Sequence, residues 1–487
     1  MTNSIPNFYD PVNFEEVCEH FAGIIREYLN KAVRGEEIPV ITRKSPAQML
    51  EEWNEQIPKE GVGFTKGIEL VKRVIDDSIH IHHPRYMGHQ VCGPLPLTIL
   101  CDMIMSMLNN SSVVFEMGQV ATTLELRLTQ WVCDLIGYPS DAGGIITSGG
   151  SVGNLTALLA ARQVMCGGNV WQDGYLETAR RPAILVSKQA HYCVKRAVQI
   201  MGLGADGAVT VDVDAEYRMD MDALKEAYRK TTESGRKVIA VVASGCTTAT
   251  GTFDPINDIA DFCEYHKLWL HVDGAHGAAA LLSPKYRDLL KGIERADSVV
   301  WDLHKMLLMP SLLTAVCFRK KAHSYSTFAQ EASYLFTAAP EEEWFNIAHR
   351  TLECTKPMLA LKAYISLMSY GSAVFGDYIT NCFDLAHIFA DILEKADDFV
   401  IAVRPDCNIV CFRYEPANCP AEKIDQLQRD IRQQILDEGN FYIVQTVLHE
   451  KQYLRVTLIN PLTKEADLLL LLENIRKIGG NKLAGIG

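Results

Sequence analysis

Apolar residues recur at helical spacing along residues 1–100, most clearly over Phe14 to Ala32 and Gly67 to Ile79, which predicts an N-terminal helical arm suited to packing on a partner subunit. From about Ala142 to Arg319 the pattern changes. Short apolar runs, AILVS at 183–187, VIAVVA at 238–243, LWLHVD at 268–273 and SVVW at 298–301, alternate with amphipathic stretches. Continuous apolar runs alternating with helices predict an α/β domain whose mostly parallel sheet is covered on both faces. From about Ala373 the order is helix, strand, helix, strand, helix, with NIVCFRY at 408–414 and YLRVTLI at 453–459 as the clearest strands, which suits a smaller α+β domain. The expected division is an arm over 1–100, a large α/β domain over 101–372 and a small domain over 373–487. Between Phe328 and Arg350 no period is sustained and Glu341 to Glu343 form an acidic cluster, so part of this segment reads as a mobile loop.

Composition narrows the function more than the fold. The 487 residues are 48% hydrophobic and 22% charged, an ordinary globular balance in a chain too long for one core. A net charge of -13 lacks the basic footprint that nucleic acid or an anionic membrane surface demands, so a small molecule is the expected partner. The start has no basic region followed by an apolar one, and the longest apolar candidate, Pro94 to Leu108, is broken by Asp102; a cytoplasmic protein without a membrane span is expected. Fourteen cysteines lie scattered, among them Cys101, Cys133 and Cys411 in apolar runs, with no CxxC pair, and read as reduced core thiols.

In open α/β sheets a ligand sits at the carboxyl ends of the strands, which directs attention to His191, Thr247, Asp273 and Lys305. The run SVVWDLHKM at 298–306 ends a strand and delivers Lys305 beside His304 and Asp302. An isolated lysine there is ordinarily a solvated surface group. The run HVDGAHG at 271–277 puts Asp273 after an apolar strand among very small residues, where it either caps the next turn or pairs with a buried cation. The run TSGGSVGNLTALLAAR at 147–162 is a strand end, a turn of small residues and an apolar helix. Ser151 is an N-cap in the plain reading, and with the helix N-terminus an anion cradle in the sharper one. No G-K-[ST] ending marks a Walker loop and no GxGxxG a dinucleotide site. The run HIHHP at 80–84 has no further ligands at zinc spacing, so no metal is expected.

The order SGGS, QAH, HVDGAHG and DLHK, within a stretch reaching from HHPRYMGHQ at 82–90 to YLRVTLINP, resembles the group II pyridoxal-phosphate amino-acid decarboxylases. That resemblance implies a type I aminotransferase-like fold, a homodimer and pyridoxal 5′-phosphate held as a Schiff base. By position, Lys305 resembles the lysine that carries the cofactor, with His304 its neighbour near the phosphate. Asp273 resembles the partner of the pyridine nitrogen, and Ala275 the small residue against the ring. His191 resembles the imidazole stacked on the opposite ring face. Gly150 and Ser151 resemble the phosphate turn and Thr247 the threonine beside the cofactor. The implied reaction is decarboxylation of an L-amino acid to its amine, with Lys305, His191 and Asp273 as catalytic residues. Oxidative deamination or transamination at the same carbon is the alternative, because the loop tyrosine that relatives use as proton donor is missing after Tyr334 in YLFTAAPEEEWFNIAHR at 334–350. His191 or Tyr334 is then the expected donor. Tyr86, His89, Tyr334 and Trp344 are expected to line the substrate pocket. The segment ASYLF at 332–336 resembles cysteine sulfinate and glutamate decarboxylases, whereas ECTKPMLALK at 353–362, with Lys356 where many relatives carry arginine, is more like diaminobutyrate decarboxylases.

Overall fold

A computed structural model describes residues 5, 9–35, 37–167, 170–175, 181–328 and 343–484. The chain divides into two compact units, one of Met1–His89, Asp391–Ala402 and Cys411–Gly487, the other of Gln90–Ala390 and Val403–Val410.

The larger unit is built on a seven-stranded sheet. Its strands are β1 (Gly143–Thr147), β2 (Ala183–Ser187), β3 (Ala208–Val211), β4 (Val238–Ser244), β5 (Trp269–Asp273), β6 (Ser298–Asp302) and β7 (Thr314–Phe318). Their spatial order is β1-β7-β6-β5-β4-β2-β3. β2, β3, β4, β5 and β6 pair in parallel, and β7 runs antiparallel to both β6 and β1. All seven residues of β4 and all five of β2, β5 and β6 are buried, which explains why these strands read as unbroken apolar runs rather than alternating ones. The helix Gly150–Cys166 packs its small and apolar residues, Ala157 to Ala161 among them, into the same core as Ile184, Ile239 and Val300. β1, β2, β4, β5 and β6 all end at one edge, so the turns after them converge there.

The smaller unit carries most of a second sheet, in the order β10-β11-β9-β8, formed by β8 (Phe399–Ile401), β9 (Ile409–Tyr414), β10 (Val444–Leu448) and β11 (Lys451–Thr457). The expected N-terminal arm belongs to this unit. Its helices Pro11–Arg34 and Phe64–Asp76 are present, but the chain around them is tied to C-terminal segments by backbone bonds: Val40 N–H to Gly439 O at 2.8 Å, Met87 N–H to Tyr442 O at 2.9 Å and Thr457 N–H to Met87 O at 2.9 Å. Periodicity reports which face of a helix is apolar and carries no information about which distant backbone accepts these bonds. The expected boundary at 372/373 coincides with the start of the helix Ser372–Glu394, while the division between units falls within that helix, at Ala390.

All fourteen cysteines are free thiols, and Cys101, Cys133 and Cys411 are buried as read from their apolar surroundings. Among the described residues no helix is long and apolar enough to cross a membrane.

Candidate active site

The strand ends of the larger unit line a pocket of about 100 Å³. Gly150, Ser151, His191, Asp273, Ala275 and Lys305, six of the residues picked from the sequence, line it together. They arrive on four turns, after β1, β2, β5 and β6. Lys305 sits on the single helical turn Leu303–Met306 directly after β6, and that turn places its Nζ 3.0 Å from Asp302 Oδ2, three residues back. Burial alone drives the Lys305 ammonium toward the neutral amine, but the Asp302 and Asp273 carboxylates outweigh it and raise its pKa above the ordinary lysine value.

Asp273 ends β5 and is buried, with Oδ1 accepting the Ala275 N–H at 3.2 Å. Burial raises its pKa, with Lys305 pulling the other way. It is therefore a carboxylate short of counter-charge. His191 is the N-cap of the helix Tyr192–Ile200, and its Nδ1 accepts the Cys193 N–H at 3.3 Å. Burial lowers its pKa despite Asp273, so the ring is neutral with its proton on Nε2.

The turn after β1 owes its shape to glycine. Gly149 has φ of +107°, a region side chains rarely adopt, and a Cβ on Gly150 would come within 3.0 Å of both Asp302 oxygens. Asn154, one helical turn on, ties this segment to the sheet. Its Nδ2 donates to Gly150 O at 2.9 Å and its Oδ1 faces His271 Nε2 at 2.7 Å. His271 Nδ1 lies 2.9 Å from Ser298 Oγ, which accepts Trp269 Nε1–H at 2.8 Å. Because an amide oxygen only accepts, His271 must carry its proton on Nε2 and take the Ser298 O–H at Nδ1. Burial lowers the His271 pKa to about 4, in keeping with a neutral ring.

The other described residues singled out from the sequence do not line this pocket. Thr247 does not line the pocket; it is buried in a threonine cluster, 2.7 Å from Thr250 Oγ1 and 3.2 Å from Thr252 Oγ1, and Thr248 lines the pocket instead. His304 is not among the lining residues either; its Nδ1 accepts the Leu313 N–H at 3.2 Å. Trp344 is half exposed and lines a separate pocket with Phe115, Arg127 and Arg350, so the chain does not bring it to Lys305. Tyr86 and His89 belong to the smaller unit, where Tyr86 stacks on Tyr442 at 5.3 Å between ring centroids and His89 lies 6.0 Å from the same ring. Tyr334, the stretch 332–336 and most of the expected loop lie outside the described residues. Of the HIHHP run, His80 contacts the Pro39 and Ile75 carbonyls, and His83 Nδ1 accepts the Arg85 N–H at 3.0 Å. Among the described residues no three metal-ligating side chains are gathered together.

The sequence reading passed over Asn154, Gln90, His276 and Thr248 as lining residues and treated Asp302 only as a neighbour. The signal for Asp302 was its spacing of three from Lys305, and for Asn154 its spacing of four from Gly150, since both spacings stack side chains on one face of a helical turn.

Pyridoxal phosphate, the cofactor implied by the sequence resemblance, requires an amine for its carbonyl carbon, an anion for its ring nitrogen, a flat surface for its ring and a turn for its phosphate. The donor set here, Lys305, under-compensated Asp273, the neutral His191 ring and the glycine turn at 149–151, fits those requirements.

Comparison with known proteins agrees. The pyridoxal-dependent decarboxylase conserved domain matches residues 46–415. The L-2,4-diaminobutyrate decarboxylase of Acinetobacter baumannii is 28% identical over 433 residues, covering 86% of this chain and 85% of that protein. The aromatic-L-amino-acid decarboxylase of Bacillus atrophaeus is 29% identical over 428 residues, 87% of each. The crystal structure of mouse CSAD superposes with a TM-score of 0.90 at 25% identity, over 96% of this chain and 99% of that one. With the family domain spanning most of the chain and the fold and pocket chemistry in agreement, this chain belongs to the pyridoxal-dependent decarboxylases, enzymes that use pyridoxal phosphate to decarboxylate an L-amino acid.

Proposed function

We propose that Lys305 holds pyridoxal phosphate covalently, that Asp273 pairs with its ring nitrogen, and that the turn at Gly150 and Ser151 takes its phosphate, with Ala275 and His191 on opposite ring faces. The observation that carries this reading is the convergence of an amine, an under-compensated carboxylate and a neutral imidazole in one pocket at the strand ends. Once bound, the cofactor supplies an electron sink for whichever Cα bond is held perpendicular to its ring. The residues of the chain do the rest. Asp273 keeps a positive charge on the ring nitrogen by giving it a buried anion. His191 presents a flat neutral ring; to return a proton to Cα after CO₂ has left, it must first take one up as imidazolium, so that donation from Nε2 leaves the ring neutral again. The His89 imidazole is held neutral by burial and by the nearby Arg455 and Arg432.

A homodimer is part of the proposal. It is supported by the apolar side chains that the helix Pro96–Leu108 leaves exposed, Leu100, Met103, Ile104 and Met107 among them, since such a patch is costly to leave in water. A cytoplasmic location is supported by the free thiols.

The protein loaded with cofactor is expected to absorb at roughly 410 to 430 nm, as a lysine-held pyridoxal does. Borohydride should remove the band and Lys305→Ala should lack it. A panel of L-amino acids, with CO₂ and amine both measured, then identifies the substrate. Protein that takes up no pyridoxal phosphate, or that releases ammonia and an oxo acid without CO₂, would overturn the proposal.

A further inference from the structure

Two carboxylates share the pocket with Lys305, and they are not equivalent. Asp302 Oδ2 stands 3.0 Å from Lys305 Nζ, while its Oδ1 accepts the Thr314 O–H at 2.5 Å from the antiparallel neighbour β7, where Asp302 and Thr314 are register partners. Gly150 presses on the same carboxylate so closely that even a Cβ there would crowd both oxygens. The Asp302 side chain is thus clamped by β7, by the glycine turn and by the lysine, and is almost fully buried.

We infer that Asp302 is a positioning residue that holds Lys305 as an ammonium, with Nζ at the β6 end of the pocket, whenever the lysine is not covalently engaged. This rests on the reading that Lys305 is the cofactor lysine. Burial by itself would discharge both partners. Both shift the other way: Asp302 lies below the ordinary aspartate value, with Lys305, His304 and Thr314 overcoming its burial, and Lys305 lies above the ordinary lysine value. Asp273, raised by burial, is the weaker partner. The other groups facing the lysine are the imidazoles of His191 and His304, lowered by burial, the thiol of Cys193, raised by burial, and Cys246, whose interaction with the lysine is smaller than that of Asp302 or Asp273. An ammonium is not a nucleophile, so Asp302 restrains the reactivity of Lys305 toward a carbonyl while fixing its position.

The test labels the cofactor-free protein with pulses of acetic anhydride across a pH series and reads the peptide containing Lys305 by mass spectrometry, with exposed Lys195 as internal reference. In the wild type the Lys305 midpoint is expected above that of Lys195. In Asp302→Asn, which keeps an acceptor for Thr314, it should fall by about one pH unit or more, roughly the effect of losing an adjacent opposite charge. A wild-type midpoint below Lys195, or an unchanged midpoint in a folded Asp302→Asn, overturns the inference. If Asp302→Asn does not fold, the wild-type midpoint decides, because burial without a partner places it below. Labelling needs no cofactor, so failure to bind pyridoxal phosphate would refute the proposed function and be seen separately from this result.

Discussion

Replacing Asn154 by leucine removes the acceptor that ends the chain Trp269–Ser298–His271–Asn154 while keeping the side-chain volume. His271 is fully buried, so its Nε2–H loses a 2.7 Å partner at a site shielded from bulk solvent. A buried donor stranded in this way costs about 1–3 kcal/mol, and the lost bond from Nδ2 to Gly150 O adds about 1 kcal/mol, for about 2–4 kcal/mol in all. Urea unfolding followed by tryptophan fluorescence measures this directly. A double-mutant cycle with His271→Phe sharpens it. Once the imidazole is gone the leucine strands nothing, so the double variant should be about 1–2 kcal/mol better than the sum of the single ones. Affinity for pyridoxal phosphate should fall in Asn154→Leu as well, because the amide also lines the pocket and holds the glycine turn. A loss below about 0.5 kcal/mol, or strict additivity in the cycle, would mean that the deduced His271 tautomer and its chain of bonds are wrong.

Asp273→Ala should keep the lysine-held cofactor band but lose roughly a hundredfold or more in CO₂ release, the few kcal/mol that a buried anion contributes beside developing charge; near wild-type turnover with the band intact would reduce Asp273 to a turn residue. Lys356→Met should destabilise the protein by about 3–5 kcal/mol in urea, since it leaves the buried carboxylate of Glu125, now 2.7 Å from Lys356 Nζ, without its ion-pair partner. Stability should fall with acid through His271: its folded value near 4 lies below the unfolded value of about 6.5, so the neutral ring contributes stability above that unfolded value and loses it as pH falls toward 4. At pH 5 that amounts to about 2 kcal/mol, and urea midpoints at pH 7 and pH 5 should draw closer together in His271→Phe.

The fold of the larger unit was legible because its strands are buried on both faces and so read as unbroken apolar runs, and because Lys305, Asp273 and His191 follow such runs at the edge where ligands bind. Local patterns could not choose between adjacent turn residues. Thr247 and Thr248 differ only in which way the turn points them, and that was decided by Thr250 and Thr252 closing a hydroxyl cluster around the first. Trp344 was assigned by proximity along the chain to an expected loop, whereas packing against Phe345 and the Phe115 side puts it at another pocket.

The sequence by itself determined the α/β class and the four strands β2, β4, β5 and β6 of the larger sheet, because each is an unbroken apolar run, and the order of its motifs carried the family resemblance that implies the cofactor. Tertiary structure decided what depends on pairing across the chain. Val40 bonds to Gly439 and makes the N-terminal segment part of the smaller unit, Thr314 reaches Asp302 only through the β6–β7 register, and Asn154 reaches His271 only because the helix after β1 lies on the sheet. Those contacts link residues from 12 to 399 positions apart, at separations where hydrophobic periodicity carries no signal and only the closed backbone and side-chain hydrogen bonds select the partner.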